Sequence, residues 1–305
     1  MEIEIDITSK INRLKEKKEA ILLAHNYQRP EIQDIADFVG DSLELSLMAQ
    51  KTKAKMIVFC GVRFMAETAK ILSPDKIVLL PEESAGCPLA DMITPHQLQA
   101  LKEQNPGVPV VCYINSSVEI KAMSDIACTS ANAKQIVASL SSDQVIFIPD
   151  QGLGSWVAES SEKHIILHPG YCPTHYLLKT EDIINARKKY PGIPIIVHPE
   201  CPKEIRDHSD YIAGTGGMIR LAKELPDQKF IIGTEEGMAY RLKKVVPTKE
   251  FILLSKRLYC PNMKKTTLSS VLNALENQTY EITVLEKYIE PVKKMLEKMF
   301  QVTHG

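Results

Sequence analysis

ILLAHNY at 21–27, VVCYIN at 110–115 and IIVHPE at 195–200 are one short apolar run written three times, each run passing into polar residues. Superposing them sets His25 opposite Tyr113 and His198, and Tyr27 opposite Asn115 and Glu200. The register persists outward. Glu31, Glu119 and Glu204 are followed at equal spacing by Asp37, Asp125 and Asp210, and these in turn by Ser42, Ser130 and Thr215. A second apolar run follows in each copy (KMIVFCG, QVIFIPDQG, KFIIGTEEG), then a third (IVLLPEESAGCP, HIILHPGYCP, FILLSKRLYCP). All three copies close on Cys-Pro, at Cys87, Cys172 and Cys260. Self-similarity at this depth marks a repeated structural unit.

Each unit reads strand–helix–strand–helix–strand. Its apolar runs are nearly continuous, as expected of parallel strands covered by helices on both faces. The fold class expected is therefore α/β: three similar three-layer αβα domains with short parallel sheets, arranged about a pseudo-threefold axis. The turn signals NPGVP at 105–109 and YPGIP at 190–194 divide the chain into 18–104, carrying Cys87, 105–190, carrying Cys172, and 191–305, carrying Cys260 and the C-terminal helices. Residues 1–17 read as a helix packing across the first domain. Ligands of such sheets gather beyond the carboxyl ends of the strands, where every polar signature above lies.

Composition narrows the function. Of 305 residues, 44% are hydrophobic and 25% charged, with a net charge of -1, which is a globular chain without the basic footprint of a nucleic-acid binder. The lysine pairs at 243–244 and 264–265 read as solvated faces. No apolar stretch reaches the ~20 residues that span a bilayer. The N-terminal segment lacks the basic-then-apolar order of a secretory signal, so a cytoplasmic location is expected, with no membrane partner.

Seven cysteines in such a chain are expected to be reduced thiols, serving as core residues, metal ligands or a nucleophile. A single cysteine is most simply a core thiol. Three at equivalent ends of a repeat point instead to a shared metal centre: three thiolates can ligate three irons of a [4Fe–4S] cube and leave the fourth iron open to substrate. A proline after each cysteine suits a tight ligand loop. Cys60, Cys112 and Cys128 lack the threefold match, and Cys60 and Cys112 lie in or beside apolar strands. Cys201, beside Glu200, is the nearest rival ligand.

His25, Tyr27, Tyr113, Asn115, His198 and Glu200 together offer acid, base, phenol and amide groups for moving protons on a small polar substrate. His175, three residues after Cys172, can join them. Glu200 is the expected general base, with His198, His25 and Tyr27 handling protons or orienting substrate. Read singly, His25 and His198 are turn residues. Ser42, Ser130 and Thr215 sit where helices begin; N-capping is the plain reading, and an anion pocket is the functional one. The run AGTGGM at 213–218 is neither a P-loop nor a dinucleotide fingerprint.

These residues resemble the quinolinate synthase family over nearly the whole chain. The resemblance rests on AHNYQRPEIQDIADFVGDSLELS from Ala24, CGVRFMAETAKIL from Cys60, EESAGCPLADM from Glu82, YINSSVEIKAMSD from Tyr113, CTSANA from Cys128, PDQGLG from Pro149, HPECP from His198 and CPNMKKTTL from Cys260. It implies a transferase of NAD biosynthesis that condenses iminoaspartate with dihydroxyacetone phosphate, releasing phosphate and water as quinolinate forms. It further implies one [4Fe–4S] cluster per chain on Cys87, Cys172 and Cys260. The substrate pocket it implies comprises His25, Tyr27, Ser42, Tyr113, Asn115, Ser130, His175, His198, Glu200 and Thr215, with functional coupling to an iminoaspartate-producing enzyme. The chain departs from the family at Gly214-Thr215, where Ser-Thr is usual. Rival readings are an iron–sulfur hydro-lyase, a zinc enzyme on the same three cysteines, and a non-catalytic iron–sulfur sensor.

Overall fold

The computed structural model describes residues 2–304, and the side chains of residues 7–303. The chain forms three four-stranded, all-parallel sheets interleaved with helices. The first contains β1 (Ala20–His25), β2 (Phe38–Gly40), β3 (Met56–Cys60) and β4 (Ile77–Leu79), in the order β2-β1-β3-β4. The second contains β5 (Val110–Tyr113), β6 (Ile126–Cys128), β7 (Gln144–Ile148) and β8 (His164–Leu167), in the order β6-β5-β7-β8. The third contains β9 (Ile195–Val197), β10 (Tyr211–Ile212), β11 (Lys229–Gly233) and β12 (Glu250–Leu253), in the order β10-β9-β11-β12. The α/β class and the threefold repeat of parallel sheets expected from sequence are what the structure shows.

Each sheet has one strand more than the three expected. β2, β6 and β10 span two or three residues, too few to carry a hydrophobic period of their own. The matched aspartates explain why these short strands form. Asp37 Oδ2 accepts the Leu22 amide at 2.7 Å, Asp125 Oδ2 that of Val110 at 2.8 Å and Asp210 Oδ2 that of Ile195 at 2.7 Å. Each aspartate amide also donates to the carbonyl of the same residue, at 3.0, 3.1 and 3.0 Å. The carboxylate thus satisfies a buried amide of the first strand and starts the added strand in register.

Asp210 lies 2.9 Å from Arg187 Nη2. Burial opposes its charge, but the hydrogen bonds from Arg187 and the Ile195 amide, together with the Arg187 charge, hold its carboxyl below the ordinary carboxylate value. A depressed folded-state pKa stabilises the fold above the unfolded value of ~3.9 and loses that contribution as pH falls through the folded value. Asp210→Asn is therefore expected to cost about 1 kcal/mol at pH 7. The difference from wild type should close as pH falls through the folded value, in urea titrations run across pH.

The turn before each first strand is also conformationally equivalent. Glu19, Gly107 and Gly192 all have positive φ, at 49°, 79° and 77°. In the second and third copies the turn is closed by Val108 N–H to Asn105 C=O at 3.2 Å and Ile193 N–H to Tyr190 C=O at 3.4 Å. Proline stands second and glycine third in both, the type II pattern. A Cβ at Gly192 would meet nothing within 4 Å, so Gly192→Ala tests conformation alone. It is expected to lower the urea midpoint by an amount equivalent to ~1 kcal/mol.

The chain divides into two compact units: Met1–Cys87 with Cys260–Ile289, and Pro88–Tyr259 with Glu290–Gly305. In the first, β1 and β3 pack with Ile11 and with Leu268, Val271, Ala274 and Leu275 of the helix Leu268–Asn277. That helix, grouped with the third domain in the sequence reading, thus completes the first sheet's core. In the second unit, helix Thr180–Lys189 lies before the expected 191 boundary yet places Ile183 and Ala186 in the third sheet's core. Turn chemistry marks where a helix ends but not which sheet it covers. No helix among the described residues is long and apolar enough to cross a membrane.

Candidate functional site

The polar positions that the repeat brought into register lie at or just beyond the carboxyl ends of β1, β5 and β9. In the first unit, the chain leaves β1 in a turn closed by Gln28 N–H to His25 C=O at 2.9 Å. The Tyr27 amide donates to His25 Nδ1 at 3.1 Å, and the two rings meet edge to face at 4.6 Å. In the second unit the same turn recurs after β9: Cys201 N–H reaches His198 C=O at 3.0 Å, and the Glu200 amide donates to His198 Nδ1 at 3.3 Å. Because Nδ1 accepts in both imidazoles, each neutral ring carries its proton on Nε2. The turn role expected of a lone histidine thus fixes the tautomer needed for proton transfer.

Glu200 is the centre of the second unit's polar cluster and is 3% exposed. Its Oε2 lies 2.8 Å from His175 Nδ1 and 3.3 Å from His198 Nδ1, and Asn115 Nδ2 approaches Oε1 at 3.5 Å. His175 and His198 stack with centroids 4.6 Å apart, and His175 Nε2 lies 2.8 Å from Thr234 Oγ1. Burial opposes ionisation of Glu200. The two imidazoles and their hydrogen bonds outweigh it and hold the carboxyl well below the usual range. Burial also pushes His198 below the ordinary imidazole value, against the attraction of Glu200. The result is a carboxylate anion beside a neutral imidazole, a base next to a proton carrier. Asn115 Oδ1 is buried and takes no hydrogen bond among the described residues, so a ligand donor is its natural partner.

Cys172 joins this group: its thiol, an imidazole nitrogen of His175 and a carboxylate oxygen of Glu200 all lie within 4.8 Å of one another. Its loop is built like those of the other two matched cysteines. The amide of Arg63 donates to Ala85 C=O at 2.8 Å, that of Gln151 to Gly170 C=O at 2.7 Å, and that of Glu236 to Leu258 C=O at 2.8 Å. Each acceptor stands two residues before the cysteine. The same backbone bond therefore pins all three Cys-Pro loops to the helix that follows the repeat's second long strand. Cys87, Cys172 and Cys260 are half-buried, whereas Cys60, Cys112, Cys128 and Cys201 are fully buried. Burial pushes all four of the latter thiols up, away from thiolate formation.

In the first unit the Cys260 loop is laced to the Tyr27 turn. Lys264 Nζ donates to Tyr27 C=O at 2.6 Å and Arg29 Nε to Lys264 C=O at 2.7 Å, while Lys265 Nζ reaches Ser84 C=O, just before Cys87, at 2.6 Å. Lys264, read from sequence as solvated, is only 3% exposed. The expected N-caps also differ. Asp41 and Gly214 hold the cap positions, which leaves Ser42 and Thr215 as first helical residues, and Ser130 precedes the cap Asn132. A Cβ at Gly214 would lie 2.7 Å from Ser130 Oγ, so the hydroxyl of the second repeat fills the space left by the departure at 214. Thr234, Asp150 and Arg206 were not singled out in the sequence. Thr234 and Asp150 both follow the second long strand of a repeat, and that position was their only available signal.

A family model described as quinolinate synthetase A protein matches residues 9–301. The chain is 53% identical over 296 residues to the quinolinate synthase of Dehalococcoides mccartyi strain CBDB1, covering 97% of this chain and 98% of that one. It is 51% identical over 300 residues to the quinolinate synthase of Alkaliphilus metalliredigens strain QYMF, covering 98% and 99%. Against that of Thermodesulfovibrio yellowstonii it is 51% identical over 288 residues, covering 93% and 95%. The motifs, the repeated sheets and these matches agree along nearly the full length: the chain belongs to the quinolinate synthetase A family of enzymes.

Proposed function

We propose that this chain is a cytoplasmic transferase of NAD biosynthesis that condenses iminoaspartate with dihydroxyacetone phosphate, releasing phosphate and water as quinolinate forms. We propose further that Cys87, Cys172 and Cys260 hold one [4Fe–4S] cluster. The observation that carries the reading is Glu200, a buried anion held by His175 and His198 within 4.8 Å of the Cys172 thiol. The donor set fits the cluster: three half-buried thiols on identically pinned Cys-Pro loops, with the remaining four thiols sealed in cores. When bound, the cluster supplies an iron without a protein thiolate, a Lewis acid open to a substrate oxygen or nitrogen.

The chain's own residues then divide the work. Glu200 accepts a proton as the carbon–carbon bond forms and passes it to His198 Nδ1, 3.3 Å from its Oε2, as His198 gives its Nε2 proton to a leaving hydroxyl, which departs as water. His175 keeps Glu200 oriented, itself held by Thr234. Asn115 Oδ1 accepts a hydrogen bond from substrate. Ser130, Thr215 and Ser42 stand near helix starts, where free amides and hydroxyls together suit carboxylate or phosphate. Tyr113 lines the pocket, and His25 and Tyr27 serve isomerisation and dehydration. An iminoaspartate-producing enzyme is the expected functional partner.

Quinolinate formation by anaerobically purified, cluster-reconstituted protein given both substrates tests this reading. Iron and acid-labile sulfide analysis separates it from a zinc enzyme on the same cysteines. A full four-iron cluster without any quinolinate would overturn the substrate assignment.

A further inference from the structure

We infer that Arg206 is a positioning residue for Glu200, holding the peptide groups on either side of it against the helix Gln151–Ala158. The inference rests on the reading of Glu200 as the base. Arg206, in the short helix Lys203–Asp207, is 2% exposed and among the largest fully buried side chains. Its Nη1 donates to Pro199 C=O at 3.2 Å, Cys201 C=O at 3.0 Å and Gly152 C=O at 2.6 Å. Its Nη2 donates to Ser155 Oγ at 2.9 Å and Glu159 Oε1 at 2.7 Å.

Burying a guanidinium is costly, and a hydrophobic side chain of similar volume often packs at no loss of stability. Here the carboxylate it meets, Glu159, is itself 34% exposed. What an apolar replacement cannot do is direct several carbonyl oxygens at once, which the planar fork of arginine does. Two of its acceptors, Pro199 and Cys201, immediately flank Glu200. The third, Gly152, belongs to a helix whose backbone touches the same turn, since a Cβ at Gly152 would lie 2.7 Å from Glu200 O and 3.1 Å from Asp150 Oδ1. Asp150 caps that helix through Leu153 N–H at 2.7 Å. The Glu200 turn is thus clamped between a glycine surface that admits no side chain and a guanidinium that fixes its carbonyls. Its carboxylate is thereby aimed at His175 and His198.

A misplacement of about 1 Å at a reacting group can cost ~10²-fold in rate. Arg206→Met, which keeps the packing but no donors, is expected to lower kcat about 100-fold, and Arg206→Lys, which keeps charge and some donors, about 10-fold. KM for both substrates should stay within about threefold and iron per chain should be unchanged. Wild-type kcat in either folded, iron-replete variant would overturn the inference, as would a loss confined to thermal stability and iron content. If neither variant folds, Gly152→Ala presses on the turn from the other side with Arg206 intact, and the same kcat loss at constant KM is expected; wild-type kcat there would overturn the inference. Glu200→Gln in the same assay separates the two claims. If it is inactive while the Arg206 variants are normal, only the positioning role fails; if it is fully active, the base assignment fails and takes the inference with it.

Discussion

Glu200→Gln is expected to lower kcat for quinolinate formation by about a thousandfold, within the range that a positioned general base contributes. Iron content should be unchanged. The substitution is isosteric, so the packing around His175 and His198 is kept. The loss is that of a base: an amide cannot accept the proton that the carboxylate takes. Because the two imidazoles hold the wild-type carboxyl well below its usual range, its charge stabilises the fold at neutral pH, and the variant should melt somewhat below wild type. Steady-state kinetics with thermal melts check both halves. A variant that retains activity would remove Glu200 from the proton-transfer role and leave His198 as the base.

The cysteine series has the other large effect. Cys87→Ala, Cys172→Ala and Cys260→Ala are each expected to lose the proposed cluster and with it more than about 99% of activity, since on the proposed ligand set each removes one of its three thiolates. Cys201→Ala is the discriminating control. Cys201 stands next to Glu200 in sequence, but its side chain is fully buried in the third sheet's core, with Sγ 3.6 Å from Gly233 C=O. Removing it should cost about 1 kcal/mol of stability and leave iron and activity near wild type. Iron, acid-labile sulfide and activity measured side by side decide the matter. Cluster loss in Cys201→Ala, with retention in any of the other three, would reverse the ligand assignment.

Equivalence among the three cysteines is legible in the sequence, because it depends only on spacing within a repeat. What spacing could not supply is the reason for the equivalence: one backbone hydrogen bond, repeated at 2.8, 2.7 and 2.8 Å, that ties each loop to a helix. The three aspartates show the same limit. Their matched positions carried no stated role, and each carboxylate accepts a backbone amide of its repeat's first strand, from Leu22, Val110 and Ile195. Matched polar residues can mark shared architecture as readily as shared chemistry, and only their hydrogen-bond partners tell the two apart.

Which sheet a helix covers is illegible in the sequence for a related reason. The glycines at 107 and 192 mark turns correctly, through a backbone conformation that is local. Which sheet a neighbouring helix covers is set by non-local burial, so Thr180–Lys189 and Leu268–Asn277 join sheets that their places in the chain did not predict.

By itself, then, the amino-acid order determined the α/β class, the threefold repetition, the parallel strands and the matched cysteines, all properties carried by periodicity and by residues at fixed separations. The tertiary structure alone decided that Lys264 and Arg206 are buried, that Asp41 and Gly214 cap helices in place of Ser42 and Thr215, and that Thr234 holds His175. Each of those outcomes depends on a partner brought close by folding, and an isolated charged or hydroxyl side chain has no sequence period that could announce its partner.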